Sequence, residues 1–275
     1  MDYHRLKHTL EHLYSTFDFE KRIQSDPIRF PRKYRKIEDI EVSALIASAF
    51  AYGRVELFSS VIEEILKRMG PSPYGFLINL QLKKHSKYLH GVQYRFSSED
   101  DIIAFLYVLS EILKRYKTLE KAFTYSFVRP HISTAIAGFV TLATSIKIPS
   151  YLRISRGFYH FFPSPERGSA CKRFSLYLRW MVRNRDIDFG IWKDITPSEL
   201  VIPLDTHIAR ISRCLGLTSR KSADWKMAVE ITENLKRLDP ADPLKYDFAL
   251  CHQGIIGICR EAMCQQDPSQ CPILC

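Results

Sequence analysis

The chain of 275 residues lacks an apolar run long enough to cross a membrane. Its longest uncharged stretch, 132–146, contains serine, threonine and glycine, so we expect a buried helix there. Residues 1–7 have none of the apolar character of a secretion signal. These absences argue against a membrane-spanning or secreted protein and predict a cytoplasmic location.

The sequence also lacks the alternating pattern of half-buried strands, and it has no internal repeat or low-complexity tail. Apolar residues instead recur at helical spacing, with Ile102, Phe105 and Leu109 on one face of a predicted helix over 101–119. Ser98 is placed to cap that helix. The other helices that we predict cover 3–17, 40–52, 57–69, 169–183, 206–215 and 223–238. The pattern therefore predicts an all-α fold with short connections.

The chain is rich in positive charge. It has 40 lysines and arginines against 30 acidic residues, which gives a net charge of +10 and an isoelectric point of about 9.2. Such a balance favours a polyanion or an anionic membrane surface as a partner, although a basic surface without a specific partner would look the same. No basic amphipathic tail is present, so nucleic acid is the favoured partner.

Seven cysteines are present, and their distribution is uneven. In a reducing compartment, a cluster near one end of the chain indicates metal binding rather than disulfides. We expect small, buried cysteines at Cys171, Cys214 and Cys251. The clustered cysteines are Cys259, Cys264, Cys271 and Cys275.

Two positions carry candidate chemistry. Lys172 lies at the start of the predicted helix 169–183 and shares a face with Arg179 and Arg183. Asp205 precedes helix 206–215 in the N-cap position. A solvated basic face and a simple helix cap are the alternative interpretations. Buried helices, however, rarely keep a row of cations without an anionic partner.

Together these residues resemble the helix-hairpin-helix DNA glycosylase superfamily, which includes endonuclease III and the 8-oxoguanine glycosylases. Cys171-Lys172-Arg173 is similar to the lysine site of that superfamily, and residues 202–207 are similar to its aspartate site. Residues 246–259 resemble the last helix of endonuclease III, and residues 41–51 resemble its early helix beside the base pocket. The resemblance covers about 40–275 and is closest to an uncharacterised bacterial branch.

The resemblance implies a two-lobed, all-α helix-hairpin-helix glycosylase-like fold with a C-terminal cysteine loop. One lobe would be 41–185, with the hairpin and the lysine helix. The other would combine 1–40 with 186–275 and hold the aspartate helix and the cysteine cluster. It also implies a monomer that acts in DNA repair, in the cytoplasm at the nucleoid, on double-stranded DNA with a damaged base or an abasic site.

The implied activity is base excision coupled to abasic-site cleavage. Loss of a base passes through a cationic sugar, which the carboxylate of Asp205 would stabilise. An unprotonated amine of Lys172 would attack the sugar carbon C1′ and form a Schiff base that allows strand cleavage. Lysine is normally protonated at neutral pH, so this role requires a lowered pKa.

The resemblance also assigns contacts to DNA. The expected DNA-binding residues are Gly168, Arg173, Arg179, Arg183 and His207, with Lys193 as a further phosphate contact. Base chemistry in a duplex needs an extruded nucleotide, so a pocket with aromatic walls is expected. Candidate walls, for each of which core packing is the alternative, are Phe50, Tyr52, Trp180 and Phe248.

Three features leave alternatives open. Residues 162–168 lack the hydrophobic-Pro-Gly-x-Gly hairpin, and Lys172 and Asp205 are 33 residues apart. The position of the cysteine cluster implies a [4Fe–4S] centre, but it has no Cys-x2-Cys pair, so zinc or no metal is the alternative. The alternatives to the enzyme are a non-catalytic nucleic-acid-binding protein with the same fold and an iron–sulfur redox-sensing DNA-binding protein.

Overall fold

The computed structural model describes residues 2–256, and within that range the regular structure is helical. Short 3-10 turns join the helices, and β-pairing among these residues is limited to isolated bridges such as Ser169–Asp224. The all-α prediction is therefore confirmed. None of the helices in this range has the length and apolar character needed to cross a membrane.

The α-helices follow one another closely along the chain. The first two are α1 (Tyr3–Thr16) and α2 (Phe19–Ile23). The next eight are α3 (Ile37–Phe50), α4 (Val55–Met69), α5 (Pro73–Ile78), α6 (Leu82–His85), α7 (Glu99–Tyr116), α8 (Leu119–Thr124), α9 (Ile132–Ser145) and α10 (Arg156–His160). The last four described are α11 (Lys172–Val182), α12 (Thr206–Cys214), α13 (Trp225–Lys236) and α14 (Asp247–Ile255).

The chain divides into two compact units. Among the described residues, unit 1 contains 2–22, 165–190 and 195–256, and unit 2 contains 23–164 and 191–194. The expected boundary at 185 differs from this division, because α11 lies in unit 1 together with α12. The physical reason is the set of ion pairs between α11 and carboxylates further along the chain, described below.

Unit 2 is organised around α3 and α7. The α7 helix begins at Glu99 rather than 101, and Ser98 caps it through a reciprocal pair of hydrogen bonds with Asp101. The cap predicted at Ser98 is thus confirmed. Phe105 and Leu109 are buried on this helix, and every residue of α3 from Asp39 to Phe50 is buried.

Buried carboxylates in unit 2 satisfy backbone groups at the starts of other helices. Asp39 accepts hydrogen bonds from the Ser72 hydroxyl at 2.7 Å and from the Tyr74 amide at 3.0 Å. The Asp101 carboxylate accepts hydrogen bonds from the backbone amide of Ser155, at 2.6 Å, and from that of Ser98. Because buried anions are costly without such donors, these contacts fix the relative positions of the helices within unit 2.

Unit 1 joins the first helix to later ones. Glu11 of α1 accepts hydrogen bonds from the Lys245 ammonium group at 2.8 Å and from the Tyr246 hydroxyl at 2.6 Å. Tyr14 donates to Asp186. These contacts link segments more than 170 residues apart in sequence and bring α1 into the unit that holds Lys172 and Asp205.

Candidate functional site

Lys172 is the first residue of α11. The residue before it, Cys171, adopts a left-handed backbone with φ 50° and ψ 30°, which costs a residue with a Cβ about 1–3 kcal/mol. The buried Cys171 side chain and an amide contact to the Ser169 hydroxyl hold this turn in place. The turn directs the Lys172 side chain toward α12, where it remains about one-third exposed.

The Lys172 ammonium nitrogen lies 3.0 Å from Oδ2 of Asp205. The other carboxylate oxygen, Oδ1, accepts the backbone amides of His207 and Ile208, each at 2.9 Å. Asp205 is therefore the N-cap of α12, as the sequence predicts, and it is also the partner of the lysine. Asp205 thus has both of the roles that the sequence left open, as the cap of a helix and as the acidic partner of Lys172.

The electrostatic environment keeps Asp205 ionised. Burial by itself raises the pKa of this carboxyl, but the positive charge of Lys172 and the amide of Ile208 outweigh that effect. The net result is a pKa below the ordinary value of 3.8. At neutral pH the site therefore holds a largely buried, ionised carboxylate beside the lysine side chain.

Two further side chains border this pair. The thiol of Cys251, on α14, lies 3.7 Å from Asp205 Oδ2. Gly254, one turn later, lets α14 approach α12 closely, since a Cβ there would lie 2.7 Å from the Cβ of His207. The His207 ring has a buried Nδ1 with no hydrogen-bond partner among residues 2–256. Cys251 was missed by sequence reasoning, because it is 46 residues from Asp205 and has no motif of its own.

The structure corrects the role predicted for Arg179 and Arg183. Both side chains are only 2% exposed, and their partners are carboxylates of the same unit rather than solvent or phosphate. Arg179 pairs with Asp188 and Asp247, and Arg183 pairs with Asp188, Asp186 and Asp242. The cationic face of α11 does have an anionic partner, but that partner is the protein itself.

The remaining predicted DNA-binding residues differ in accessibility. Gly168 is exposed with φ +74°, and a Cβ there would meet no described atom within 4 Å. Arg173 and His207 are half-buried, and Lys193 is exposed. Gly168, Arg173 and Lys172 lie near one another in sequence, so this edge of unit 1 remains the candidate contact surface.

Most of the aromatic side chains expected to line a base pocket lie in hydrophobic cores. Phe50 and Trp180 are fully buried, and Phe248 is 4% exposed and stacks on Phe19 at a centroid distance of 5.8 Å. These three side chains pack the core, which is the alternative that the sequence left open. Tyr52 is half-buried and lies at the surface of unit 2.

The predicted metal ligands lie outside the described residues. These ligands are Cys259, Cys264, Cys271 and Cys275. Within residues 2–256, no group of three or more histidine, cysteine, aspartate or glutamate side chains could hold a metal ion. Cys171 is buried as expected, whereas Cys214 and Cys251 are only half-buried. Burial raises the pKa of Cys171 to about 12, which keeps it protonated.

Comparison with known proteins yields one match. A protein-family model described as "Protein of unknown function (DUF2400)" matches residues 26–256, a range that includes Lys172, Asp205 and Cys251. No curated protein and no solved structure matches the chain. The match covers well over half of the sequence, and the chain therefore belongs to the DUF2400 family.

Proposed function

We propose that this protein is a DNA base-excision glycosylase with abasic-site lyase activity, in which Lys172 is the nucleophile and Asp205 stabilises the sugar cation. The observation that carries the proposal is the 3.0 Å contact between Lys172 Nζ and Asp205 Oδ2. A primary amine and an ionised carboxylate side by side at two helix starts suit covalent chemistry at a sugar carbon.

The proposed reaction uses both groups in turn. As the bond between the base and C1′ breaks, the base leaves with the electron pair, and the Asp205 carboxylate offsets the positive charge on the sugar. The Lys172 ammonium group gives a proton to the departing base, the free amine then bonds to C1′, and opening of the sugar ring gives a Schiff base. Loss of a C2′ proton then expels the 3′ phosphate, and hydrolysis releases the lysine.

The fold expected from the sequence belongs to the same proposal. We assign the two units to the two lobes of a helix-hairpin-helix glycosylase-like fold, with the lysine and aspartate helices both in unit 1. The helical character and the net charge of +10 are compatible with that assignment and with duplex DNA as the partner. A [4Fe–4S] cluster on the four clustered cysteines, the monomeric state and the nucleoid location stay predictions.

A non-catalytic DNA-binding protein is the second candidate. It is favoured by the double use of Asp205, because a carboxylate that caps α12 and neutralises a nearby lysine has a structural role without any chemistry. It is also favoured by the burial of Arg179 and Arg183, which shows that cations of α11 serve the fold.

Strand cleavage separates the two candidates. Duplex DNA with a single abasic site is incubated with the wild type and with Lys172→Gln, Asp205→Asn and Lys245→Gln. Lys245 is the matched control, since it is a partly buried lysine of unit 1 in a 2.8 Å ion pair with Glu11. Asparagine at 205 retains the helix cap while removing the charge.

The glycosylase proposal predicts that Lys172→Gln abolishes strand cleavage and that Asp205→Asn slows base excision from damaged duplexes by about a hundredfold or more. Lys245→Gln should cleave like the wild type. Binding of abasic DNA by a wild type that never cleaves it would support the non-catalytic candidate instead.

A further inference from the structure

Three rings from distant parts of the sequence meet at the surface of unit 2. Tyr52 follows α3, Phe96 lies in the turn before α7, and His160 ends α10. The rings of Tyr52 and Phe96 are within 5° of parallel, with centroids 6.4 Å apart, and His160 stands edge-on to both, at 4.8 and 5.5 Å. We name these three rings, together with Arg95, the aromatic platform.

The platform reaches solvent through Phe96 and Arg95, while Tyr52 and His160 are half-buried. The Phe96 side chain is 59% exposed, although a phenylalanine gains about 1.5–3 kcal/mol from full burial. The guanidinium group of Arg95 lies 5.3 Å from the centroid of the Phe96 ring and 5.9 Å from that of Tyr52. An exposed, flat, apolar surface beside an arginine is the surface on which nucleobases stack.

Hydrogen bonds define the turn that carries Arg95 and Phe96. Tyr94 and Ser97 exchange two backbone hydrogen bonds of 2.9 Å, which close a tight turn with Arg95 and Phe96 at its tip. The Tyr94 hydroxyl donates to the Tyr52 carbonyl and so joins this turn to the end of α3. Arg95 keeps a left-handed φ of 50°, which is strained for a residue other than glycine.

Glycines allow the close approach of the segments that carry the rings. A Cβ at Gly157 would lie 2.0 Å from the Phe96 carbonyl oxygen, and one at Gly53 would lie 2.4 Å from the Arg95 side chain. The backbone at Phe96 is therefore packed closely against the segment that carries His160, and a preformed backbone lowers the entropic cost of binding.

The charges near the platform favour an anionic ligand. Arg54, Arg95 and Arg156 are exposed in the same three segments. The nearest acidic residues in sequence are Glu56, which is exposed, and Glu99, which accepts the Gly91 amide at 2.7 Å. Cations therefore dominate among the exposed charged groups of these segments, as contact with a phosphate backbone requires.

We propose that the platform formed by Tyr52, Phe96, His160 and Arg95 binds an unpaired nucleobase of single-stranded DNA by stacking, with the arginines facing the adjacent phosphates. This site lies in the unit that does not contain Lys172 or Asp205. The experiment that tests it measures DNA binding rather than strand cleavage. A negative result for the platform would therefore not refute the proposed lyase activity, and the reverse also holds.

The test uses the full chain and a short oligothymidine with a single 2-aminopurine, whose fluorescence falls when the base stacks. Binding is followed by anisotropy of an end label and by 2-aminopurine emission, for the wild type, Phe96→Leu, Phe96→Trp and Arg95→Gln. Tyr125→Leu is the matched control, because Tyr125 is a 70% exposed aromatic residue of unit 2 outside the platform.

Phe96→Leu should weaken binding about fivefold or more and abolish the quenching, while Phe96→Trp retains both. Arg95→Gln should reduce the slope of log affinity against log salt by about 0.7, whereas Phe96→Leu leaves that slope unchanged. Tyr125→Leu should bind like the wild type, and all variants should melt like it. Equal affinity and quenching in Phe96→Leu and the wild type, or no binding of the oligonucleotide at all, would overturn the proposal.

Discussion

At the scale of single residues, the two carboxylate oxygens of Asp205 have different roles, one in the structure and one in the proposed chemistry. Oδ1 caps α12, and Oδ2 lies beside Lys172 and Cys251. The sequence could predict the cap and the pairing with Lys172, because helix starts have local signals and the resemblance aligned both positions. It could not predict Cys251, since its approach depends on how α14 packs against α12.

Arg179 and Arg183 show the limit of helical periodicity as a predictor. The spacing predicts that both arginines lie on the same face of the helix as Lys172, and a cationic helix face favours contact with phosphate. Periodicity reports which residues share a face but does not report what that face packs against. Two of the carboxylates that pair with these arginines, Asp242 and Asp247, lie 59 and 68 residues away, outside any local pattern.

Glu41 gives a prediction for pH dependence. Its carboxylate is 1% exposed and accepts the Trp192 indole N–H at 2.5 Å and the amide of Glu120 at 3.2 Å. Burial raises its pKa to about 7, despite these hydrogen bonds. Between the ordinary value of 4.5 and 7, the unfolded chain therefore releases this proton more readily than the folded protein, and stability falls as the pH rises.

Glu41→Gln removes this titration. The free energy of unfolding of the variant relative to the wild type should therefore increase by up to about 3 kcal/mol between pH 4.5 and pH 7 and then level off. Urea denaturation across this range measures the difference. Asp100→Asn, a change at a more accessible carboxylate of unit 2, serves as the control. A difference for Glu41→Gln that is constant with pH would show that Glu41 titrates normally.

At the scale of elements, α11 is held by a network of buried ion pairs. Asp188, whose side chain is fully buried, contacts both Arg179 and Arg183. It lies on the segment that follows α11 and folds back onto it, where the Phe189 amide donates to the Trp180 carbonyl at 2.8 Å. Through Asp188, this segment neutralises cations of the helix that carries Lys172.

We predict that Asp188→Asn lowers the free energy of unfolding by about 3–5 kcal/mol, because it leaves two buried guanidinium groups without their shared carboxylate. Urea denaturation at neutral pH measures this loss. The control is Glu111→Gln, which removes an exposed ion pair with Lys114 and should cost about 1 kcal/mol or less. Equal losses in the two variants would contradict the structural role of the network.

At the scale of the whole molecule, the sequence predicted the helical class and most of the long helices. The prediction succeeded because amphipathic spacing and caps such as Ser98 are local signals. The division into units was harder to predict. It depends on ion pairs and packing between segments far apart in the chain. Because of those contacts, α11 belongs to unit 1 and not to the expected central lobe.

The clustered cysteines give a prediction for the composition of the purified protein. A [4Fe–4S] cluster would give about four iron atoms and four acid-labile sulfides per chain, and Cys271→Ala should lose both. Elemental analysis and sulfide quantification measure this content. Cys214→Ala, at a half-buried cysteine outside the cluster, should retain the metal. Zinc without sulfide would establish the alternative ligand assignment, and a chain free of both metals would contradict the metal-site prediction.

The central claim is that Lys172 forms a covalent bond with the sugar of damaged DNA. The most direct measurement is borohydride trapping with duplex DNA that contains an abasic site, followed by mass spectrometry of the cross-linked peptide. The account predicts a reduced adduct on Lys172 in the wild type and in Lys245→Gln, and none in Lys172→Gln. An adduct that persists in Lys172→Gln, or the absence of any adduct in a wild type that binds the same DNA, would contradict it.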